Sequence, residues 1–197
     1  MKLLKNINNF HIILGSKSPR RNLLLKEMGF KFDVIVKEVE ESYPDNLKPE
    51  QIALYVAEIK ADAFNADELN DNDIVITADT IVCFKDEILL KPKNYNDAYN
   101  ILKKLSANKH KVITGICLKS KYKQKSFFVS TDVYFKNLSD DEIKYYIENY
   151  QPYDKAGAYG IQEWIGYVGI ERIEGSYFNV VGLPTHVLYE ELLKFSE

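Results

Sequence analysis

Short apolar runs alternate with longer segments of helical periodicity over the first third of the chain. Ile12–Leu14 and Phe32–Val36 are apolar runs of strand length, and between them the apolar residues return at helical spacing. Ser18 and Pro19 begin that segment, where serine is a good N-cap and proline suits the first helical position. The pattern therefore predicts a strand, a helix and a second strand.

The most apolar run of the chain lies between a second helix and a tight turn. This helix is predicted to begin at Pro49, because apolar residues then recur at helical spacing: Ile52, Val56, Ile59 and Ala63. Ile74–Phe84 predicts a buried strand, and the turn Lys85-Asp86-Glu87 returns the chain as a hairpin. A third helix, which we expect Asn96 to cap, follows the hairpin.

Hairpin patterns replace the strict alternation of strands and helices later in the chain. Val112–Leu118 and Phe127–Phe135 predict a pair of strands, and Tyr167–Ile173 with Tyr177–Val181 predicts another. The early alternation and the later hairpins together predict an α/β fold, with a mixed β-sheet flanked by helices. We expect two lobes around a central cleft.

Two further helices and the lack of a linker complete the predicted organisation. Ser139 and Glu142 have the spacing of a capping box for a fourth helix, and Pro184 starts a closing helix. No composition shift or Pro/Gly-rich stretch divides the 197 residues. A chain of this length can bury the core of one substantial domain, so we predict a single domain over residues 1–197.

Composition and charge exclude several classes of protein. Hydrophobic residues make up 46% and charged residues 28%, and the formal net charge is −3, so no basic field favours nucleic acid or a membrane surface. No apolar run has membrane-spanning length, and the N-terminal residues lack the pattern of a signal peptide. Cys83 and Cys117 have neither metal-ligand nor disulfide spacing, so we expect a cytoplasmic protein.

The segment that follows the first strand has the composition of a phosphate-binding loop. Ser16 and Ser18 carry hydroxyls, and Arg20 and Arg21 place two cations in the first helical turn, where the helix dipole is already positive. Free N–H groups, hydroxyls and guanidinium groups would together bind an anion. The alternative is a solvated basic helix start beside an ordinary turn.

Three acidic residues are candidates for metal or water chemistry. Asp79 interrupts the apolar run of the third predicted strand, and a buried carboxylate needs a cation, a metal or several donors. Glu40 and Glu41 follow the second predicted strand, and paired carboxylates can hold a divalent cation or activate water. The alternatives are a turn-capping aspartate and a solvated acidic loop.

Two lysines are candidates for reaching the same site. Lys60 falls on a helix face with small residues, and Lys91 precedes Pro92, which favours an extended backbone. A snorkelling lysine and a surface turn lysine are the alternatives. The motifs G-x-S-x-G and G-x-x-x-x-G-K-[ST] are absent, so neither a serine nucleophile of that type nor a P-loop is indicated.

An ordered set of segments resembles the Maf family of nucleoside triphosphate pyrophosphatases. The segments run in family order over nearly the whole chain: SKSPRR (16–21), EVEES (38–42), EIKADAF (58–64), ITADT (76–80), LKPK (90–93), HKVITG (110–115), DKAGAYGIQ (154–162) and GSYFNVVGLP (175–184). The last two segments are similar to the branch that acts on dTTP and UTP. One departure is Leu90, where the family often has glycine.

The resemblance implies hydrolysis of a nucleoside triphosphate to the monophosphate and pyrophosphate, with a Maf-like fold. It implies that Asp79 is the proton acceptor and that Glu40 and Asp79 lie around a divalent cation. We expect this cation to be Mg²⁺, with Mn²⁺ as the alternative. Arg20, Lys60 and Lys91 would bind the triphosphate, beside Ser16 and Arg21 of the anion-binding segment. The family associates Arg20, Thr80 and Gln162 with substrate choice, and an amide such as that of Gln162 can pair with a pyrimidine edge.

Oligomeric state and function class remain open at this point. The resemblance implies a homodimer, and aromatic residues such as Trp164, Tyr167 and Phe178 would suit either an interface or the core. The leading function is a dTTP/UTP pyrophosphatase, and a second keeps the reaction with modified pyrimidines or purines. Because the family is tied to inhibition of septum formation, a non-catalytic nucleotide-binding regulator of cell division is the alternative from another class. Nucleic-acid binding is disfavoured by the net acidic charge.

Overall fold

The computed structural model describes residues 9–197, which form seven strands and seven α-helices. The strands are β1 (His11–Leu14), β2 (Phe32–Val34), β3 (Asp73–Phe84), β4 (Glu87–Leu89), β5 (Lys109–Lys119), β6 (Gln124–Phe135) and β7 (Ile170–Glu174). The helices are α1 (Pro19–Glu27), α2 (Pro49–Asp62), α3 (Tyr95–Leu105), α4 (Asp140–Tyr150), α5 (Trp164–Gly169), α6 (Tyr177–Val181) and α7 (Thr185–Phe195). Among these residues no helix combines the length and the apolarity needed to cross a bilayer.

The strands form one mixed sheet, which confirms the predicted fold class. Its order is β2-β1-β3-β5-β6-β7, and β4 pairs with β3 off this path. β1 runs parallel to both of its neighbours, and Ile12 pairs with Phe32 on one side and Ile74 on the other. β4 and β7 pair antiparallel with β3 and β6. The parallel pairs of β1 follow from connections that contain helices, and the antiparallel pair of β3 with β4 follows from a tight turn, whereas β6 and β7 pair antiparallel across a long segment that contains α4 and α5.

The described chain divides into two compact units. The first unit holds residues 9–79, 114–129 and 182–197, and the second unit holds residues 80–113 and 130–181. The central cleft between two lobes stays a prediction, and so does the single domain over residues 1–197.

Small residues bring helix α2 close to the strands in the first unit. Ala53 and Ala57 are fully buried, and a Cβ at Gly115 of β5 would lie 2.2 Å from the carbonyl oxygen of Ala53. Thr77 of β3 donates its hydroxyl to the carbonyl of Ala57 at 2.6 Å. This close approach fixes the position of α2 and therefore of the polar side chains that it carries.

The second unit is built around one large apolar cluster with aromatic residues inside it. His110, Phe135 and Tyr159 contact each other edge to face, with ring centroids 5.0–5.4 Å apart. Tyr146 of α4 is fully buried in the same cluster. Burial lowers the pKa of His110 from 6.5 to about 4, so the imidazole is neutral inside this core.

Local sequence signals set several element ends as predicted. Ser18 caps α1 with Pro19 at its first position, and Ser139 with Glu142 forms the predicted capping box of α4. Lys85 and Asp86 have positive φ angles of 49° and 66°, as the two central residues of a tight hairpin turn do.

Three details of the sequence prediction are wrong. The predicted strand Tyr167–Ile173 begins only at Ile170 and pairs with β6, because the residues up to Gly169 form α5. Asn94, rather than Asn96, caps α3, because its side chain accepts the backbone N–H of Asp97. Tyr177–Val181, predicted as a strand, is the short helix α6. The reason is tertiary: buried Asn179 donates its amide to the carbonyl of Val112 and the hydroxyl of Thr131, both at 3.0 Å.

Candidate active site

The segment between β1 and α1 folds as a polar loop closed by its own serines. The Ser16 hydroxyl accepts the backbone N–H of Ser18 at 3.3 Å, and the Ser18 hydroxyl accepts that of Arg21 at 3.4 Å. Gly15 allows this loop to pass close to the sheet, since a Cβ there would lie 2.8 Å from the Thr77 methyl group. The loop therefore presents its serines and the first turn of α1 in a fixed geometry.

The two adjacent arginines of α1 have different environments. Arg21 is buried and donates to three internal acceptors: the Ser16 hydroxyl at 3.2 Å and the carbonyls of Ala78 and Gly182 at 2.9 Å each. Burial lowers the pKa of Arg21. Arg20 is only half-buried. Arg21 thus links the loop to the backbone of β3 immediately before Asp79, while Arg20 keeps the more accessible guanidinium.

An ion pair between α2 and β3 forms the centre of the candidate site. Lys60 donates to Asp79 Oδ1 at 2.8 Å, and the two side chains are 15% and 16% exposed. The Lys60 ammonium also lies 3.0 Å from Glu41 Oε1. The cation that the carboxylate of Asp79 requires is therefore Lys60 of helix α2.

The carboxylates near Lys60 fit a divalent cation that arrives with a phosphate ligand. Mg²⁺ prefers oxygen donors and is commonly held by one or two carboxylates together with substrate phosphates. Among residues 9–197 no group of three or more His, Cys, Asp or Glu side chains could hold a metal by itself. Both neighbouring glutamates are exposed, and Glu41 is the one whose carboxylate reaches Lys60.

Three further predicted site residues belong to the second unit. Thr80 directly follows Asp79 on β3 and is half-buried, and Lys91 is exposed beside buried Pro92. Gln162 is half-buried, but no donor among the described residues lies within hydrogen-bond distance of its buried Oε1. A buried acceptor without a donor is rare in folded proteins, so this oxygen is a candidate for contact with a ligand.

Sequence reasoning did not identify a buried polar cluster around Gln162. Glu163 accepts from Lys155 at 3.0 Å through Oε1 and from the Tyr146 hydroxyl through Oε2. The Tyr146 hydroxyl in turn accepts the backbone N–H of Gly160 at 3.0 Å. Burial, reinforced by the bond to Glu163, raises the pKa of Tyr146, so the phenol stays protonated. The only sequence signal was a lysine inside the segment 154–162 and a glutamate directly after it.

Comparisons with known proteins agree with the resemblance seen in the sequence. Residues 11–195 match the family model described as Maf-like protein. A dTTP/UTP pyrophosphatase of Porphyromonas gingivalis is 46% identical to this chain over 197 residues, with 99% of each chain covered. Proteins of the same name from Phocaeicola vulgatus and Flavobacterium psychrophilum are each 50% identical, and the alignments cover 98% and 97% of this chain and 100% and 97% of theirs. This chain therefore belongs to the Maf family.

Proposed function

We propose that this protein hydrolyses dTTP and UTP to the monophosphate and pyrophosphate. The observation that carries the proposal is the ion-paired carboxylate of Asp79, set beside Lys60 within an otherwise apolar run. Relatives of 45–50% identity that are named dTTP/UTP pyrophosphatases support the substrate class. A polar pair in this position is costly for folding alone, which favours a role in chemistry.

The reaction needs a water molecule and a proton acceptor rather than a covalent nucleophile. The water oxygen forms a bond to the α-phosphorus, and the bond from that phosphorus to the α,β-bridging oxygen breaks. Pyrophosphate leaves with the bridging oxygen, and the water proton passes to the carboxylate of Asp79. Catalysis of this kind depends mainly on positioning and charge stabilisation.

The basic side chains supply the charge that a triphosphate requires. Arg20 at the start of α1, Lys60 on α2 and Lys91 after β4 would bind the phosphate oxygens. The Ser16 hydroxyl, held in the loop by Arg21, adds a neutral donor. Lys60 balances Asp79 and Glu41, and the third N–H of its ammonium can donate to a phosphate group.

A divalent cation completes the proposed site. Nucleotide pyrophosphatases of this kind are metal-dependent in general, and we infer Mg²⁺, with Mn²⁺ as the alternative. Asp79 with Glu40 or Glu41 would hold it, and Glu41 is the better placed of the two. When bound, such an ion neutralises phosphate charge and lowers the pKa of a coordinated water.

Base choice is assigned to Arg20, Thr80 and Gln162. The buried Oε1 of Gln162 is an acceptor, and the N3–H of uracil or thymine is a donor of matching type. Cytosine carries an acceptor at N3, so the same amide orientation would oppose it. The proposal also includes a cytoplasmic enzyme that acts as a homodimer, with no membrane or nucleic-acid partner.

Product analysis in labelled water tests the reaction. The protein is incubated with dTTP, UTP, CTP and GTP in ¹⁸O-water, with and without Mg²⁺, and the products are separated and weighed by mass spectrometry. We expect metal-dependent release of pyrophosphate from dTTP and UTP, with one ¹⁸O atom in the monophosphate. Label in the released phosphate product, or release of a single phosphate, would contradict attack at the α-phosphorus. Nucleotide binding without release would instead support the regulator.

A further inference from the structure

We propose that Tyr146, Glu163 and Lys155 form a positioning network that holds Gln162 in the orientation that selects the base. This inference rests on the proposed function, because it explains why the proposed enzyme prefers uracil and thymine nucleotides. The three residues do not contact the nucleotide in this proposal. They act through the short turn formed by residues 160–163 of the second unit.

A backbone hydrogen bond closes that turn around Gln162. The N–H of Glu163 donates to the carbonyl of Gly160 at 3.0 Å, so Gln162 occupies the third position of a four-residue turn. Turns of this type have few internal contacts and owe their rigidity to what holds their ends. The orientation of the Gln162 amide therefore depends on how Gly160 and Glu163 are fixed.

One buried hydroxyl holds both ends of the turn. The Tyr146 hydroxyl accepts the N–H of Gly160 at 3.0 Å and donates to the Glu163 carboxylate. Tyr146 is fully buried on α4, so its hydroxyl is a fixed point of the core rather than a mobile surface group. Because the hydroxyl uses both its hydrogen and a lone pair, its removal releases both bonds at once.

Lys155 neutralises the carboxylate that this arrangement requires. Its ammonium lies 3.0 Å from Glu163 Oε1, and the two side chains are 10% and 19% exposed. A carboxylate at this depth needs both the hydroxyl and the cation to be tolerated. Asp154 at 2.6 Å is a second partner of the ammonium, which keeps Lys155 anchored at the start of the segment.

Close packing restricts the Gln162 amide itself. A Cβ at position 160 would lie 2.9 Å from Gln162 Nε2 and 2.9 Å from Glu163 Cδ, so the amide folds over a glycine that has no side chain. This leaves Oε1 as the buried acceptor without a donor in the described chain. A network that fixes Nε2 against the turn therefore fixes which of the two amide groups is offered to a ligand.

Tyrosine-to-phenylalanine variants separate positioning from packing. Tyr146→Phe removes the bridging hydroxyl and keeps the ring. Tyr159→Phe is the matched control, since Tyr159 is also buried in the second unit and its hydroxyl bonds His110 at 2.8 Å. The readout is the ratio of kcat/KM for UTP to that for CTP. We expect the ratio to fall about tenfold in Tyr146→Phe and to stay within about twofold of wild type in the control.

A second variant keeps the test informative if Tyr146→Phe folds poorly. Glu163→Gln retains the shape of the side chain but removes the charge that Lys155 neutralises, and we expect the same loss of preference. An unchanged ratio in both folded variants would overturn the proposal, as would an equal fall in the Tyr159→Phe control. If the wild type releases no pyrophosphate, the proposed function fails. The ratio of UMP to CMP affinity, measured by calorimetry on the same variants, then decides the positioning role by itself.

Discussion

Replacing Lys60 with methionine is expected to destabilise the protein more than the loss of an ordinary surface lysine does. Methionine keeps much of the aliphatic stem and removes the ammonium that lies 2.8 Å from Asp79 and 3.0 Å from Glu41. The variant leaves the Asp79 carboxylate, 16% exposed, without its partner cation. The decrease in the free energy of unfolding then includes the cost of an unpaired charge in a site that is largely shielded from water.

The magnitude follows from the burial of the pair. Two unit charges about 4 Å apart attract by about 4 kcal/mol at the effective dielectric constant of a protein surface, before desolvation and side-chain entropy are subtracted. Exposed pairs are worth about 0–1 kcal/mol, and breaking a fully buried pair costs about 3–5 kcal/mol. For side chains 15% and 16% exposed we expect a loss of about 2 kcal/mol in the free energy of unfolding. In a chain of this size that corresponds to about 4–8 °C in Tm.

The first unit supplies a matched control. The side chains of Lys119 and Lys60 have similar exposures, 13% and 15%. The carboxylate partner of Lys119 is Asp62, which lies 3.2 Å away and is 61% exposed. Lys119→Met is therefore expected to cost less than about 1 kcal/mol. Urea unfolding followed by circular dichroism gives both values. A double-mutant cycle of Lys60→Met with Asp79→Asn should then show a coupling of at least about 1 kcal/mol. Equal losses in the two lysine variants, or coupling near zero, would refute the energetic coupling of Lys60 with Asp79.

Two further predictions concern stability. Because burial lowers the pKa of His110 from 6.5 to about 4, the unfolded chain binds a proton between these values that the folded chain does not. This contribution to the free energy of unfolding is complete above pH 6.5 and falls by about 3 kcal/mol at most as the pH approaches 4. The urea midpoints at pH 7.5 and 4.5 should therefore converge in His110→Gln. They should not converge in His186→Gln, the control at an exposed histidine. Gly115→Ala should cost about 3 kcal/mol in the same assay, since its Cβ would meet the α2 backbone at Ala53, 2.2 Å away, and a cost under about 1 kcal/mol would contradict that packing.

Local signals in the sequence were sufficient wherever the responsible contacts are also local. The cap of α1 by Ser18 and the capping box at Ser139 depend on residues no more than three positions apart. The hairpin at Lys85 and Asp86 likewise depends on its own two residues. The mixed sheet followed from these elements because their connections restrict which strands can pair in parallel.

Contacts between distant residues explain what the sequence did not predict. Tyr177–Val181 has the residues of a strand, yet the buried amide of Asn179 is bound to β5 and β6, and the segment forms a helix instead. Local propensity cannot account for such partners.

The same contrast between local and distant contacts applies to the candidate site. Helical spacing placed Lys60 on a face of small residues, but only the fold shows its pairing with Asp79 and with Glu41 in preference to Glu40. The internal role of Arg21 and the network of Tyr146 with Glu163 depend on partners between 5 and 161 positions away, so periodicity carried no signal for either.

Pyrophosphate release by Asp79→Asn decides whether Asp79 accepts the proton of the attacking water. Asparagine keeps the size of the side chain but cannot accept the proton of the attacking water, so kcat for dTTP should fall by a factor of about 10²–10⁴. Affinity for the nucleotide, measured by calorimetry without Mg²⁺, should change much less. Asp62→Asn, at an exposed partner of Lys119, is the control and should retain wild-type kcat. An Asp79→Asn enzyme within threefold of wild type would contradict the assignment of Asp79 as the proton acceptor.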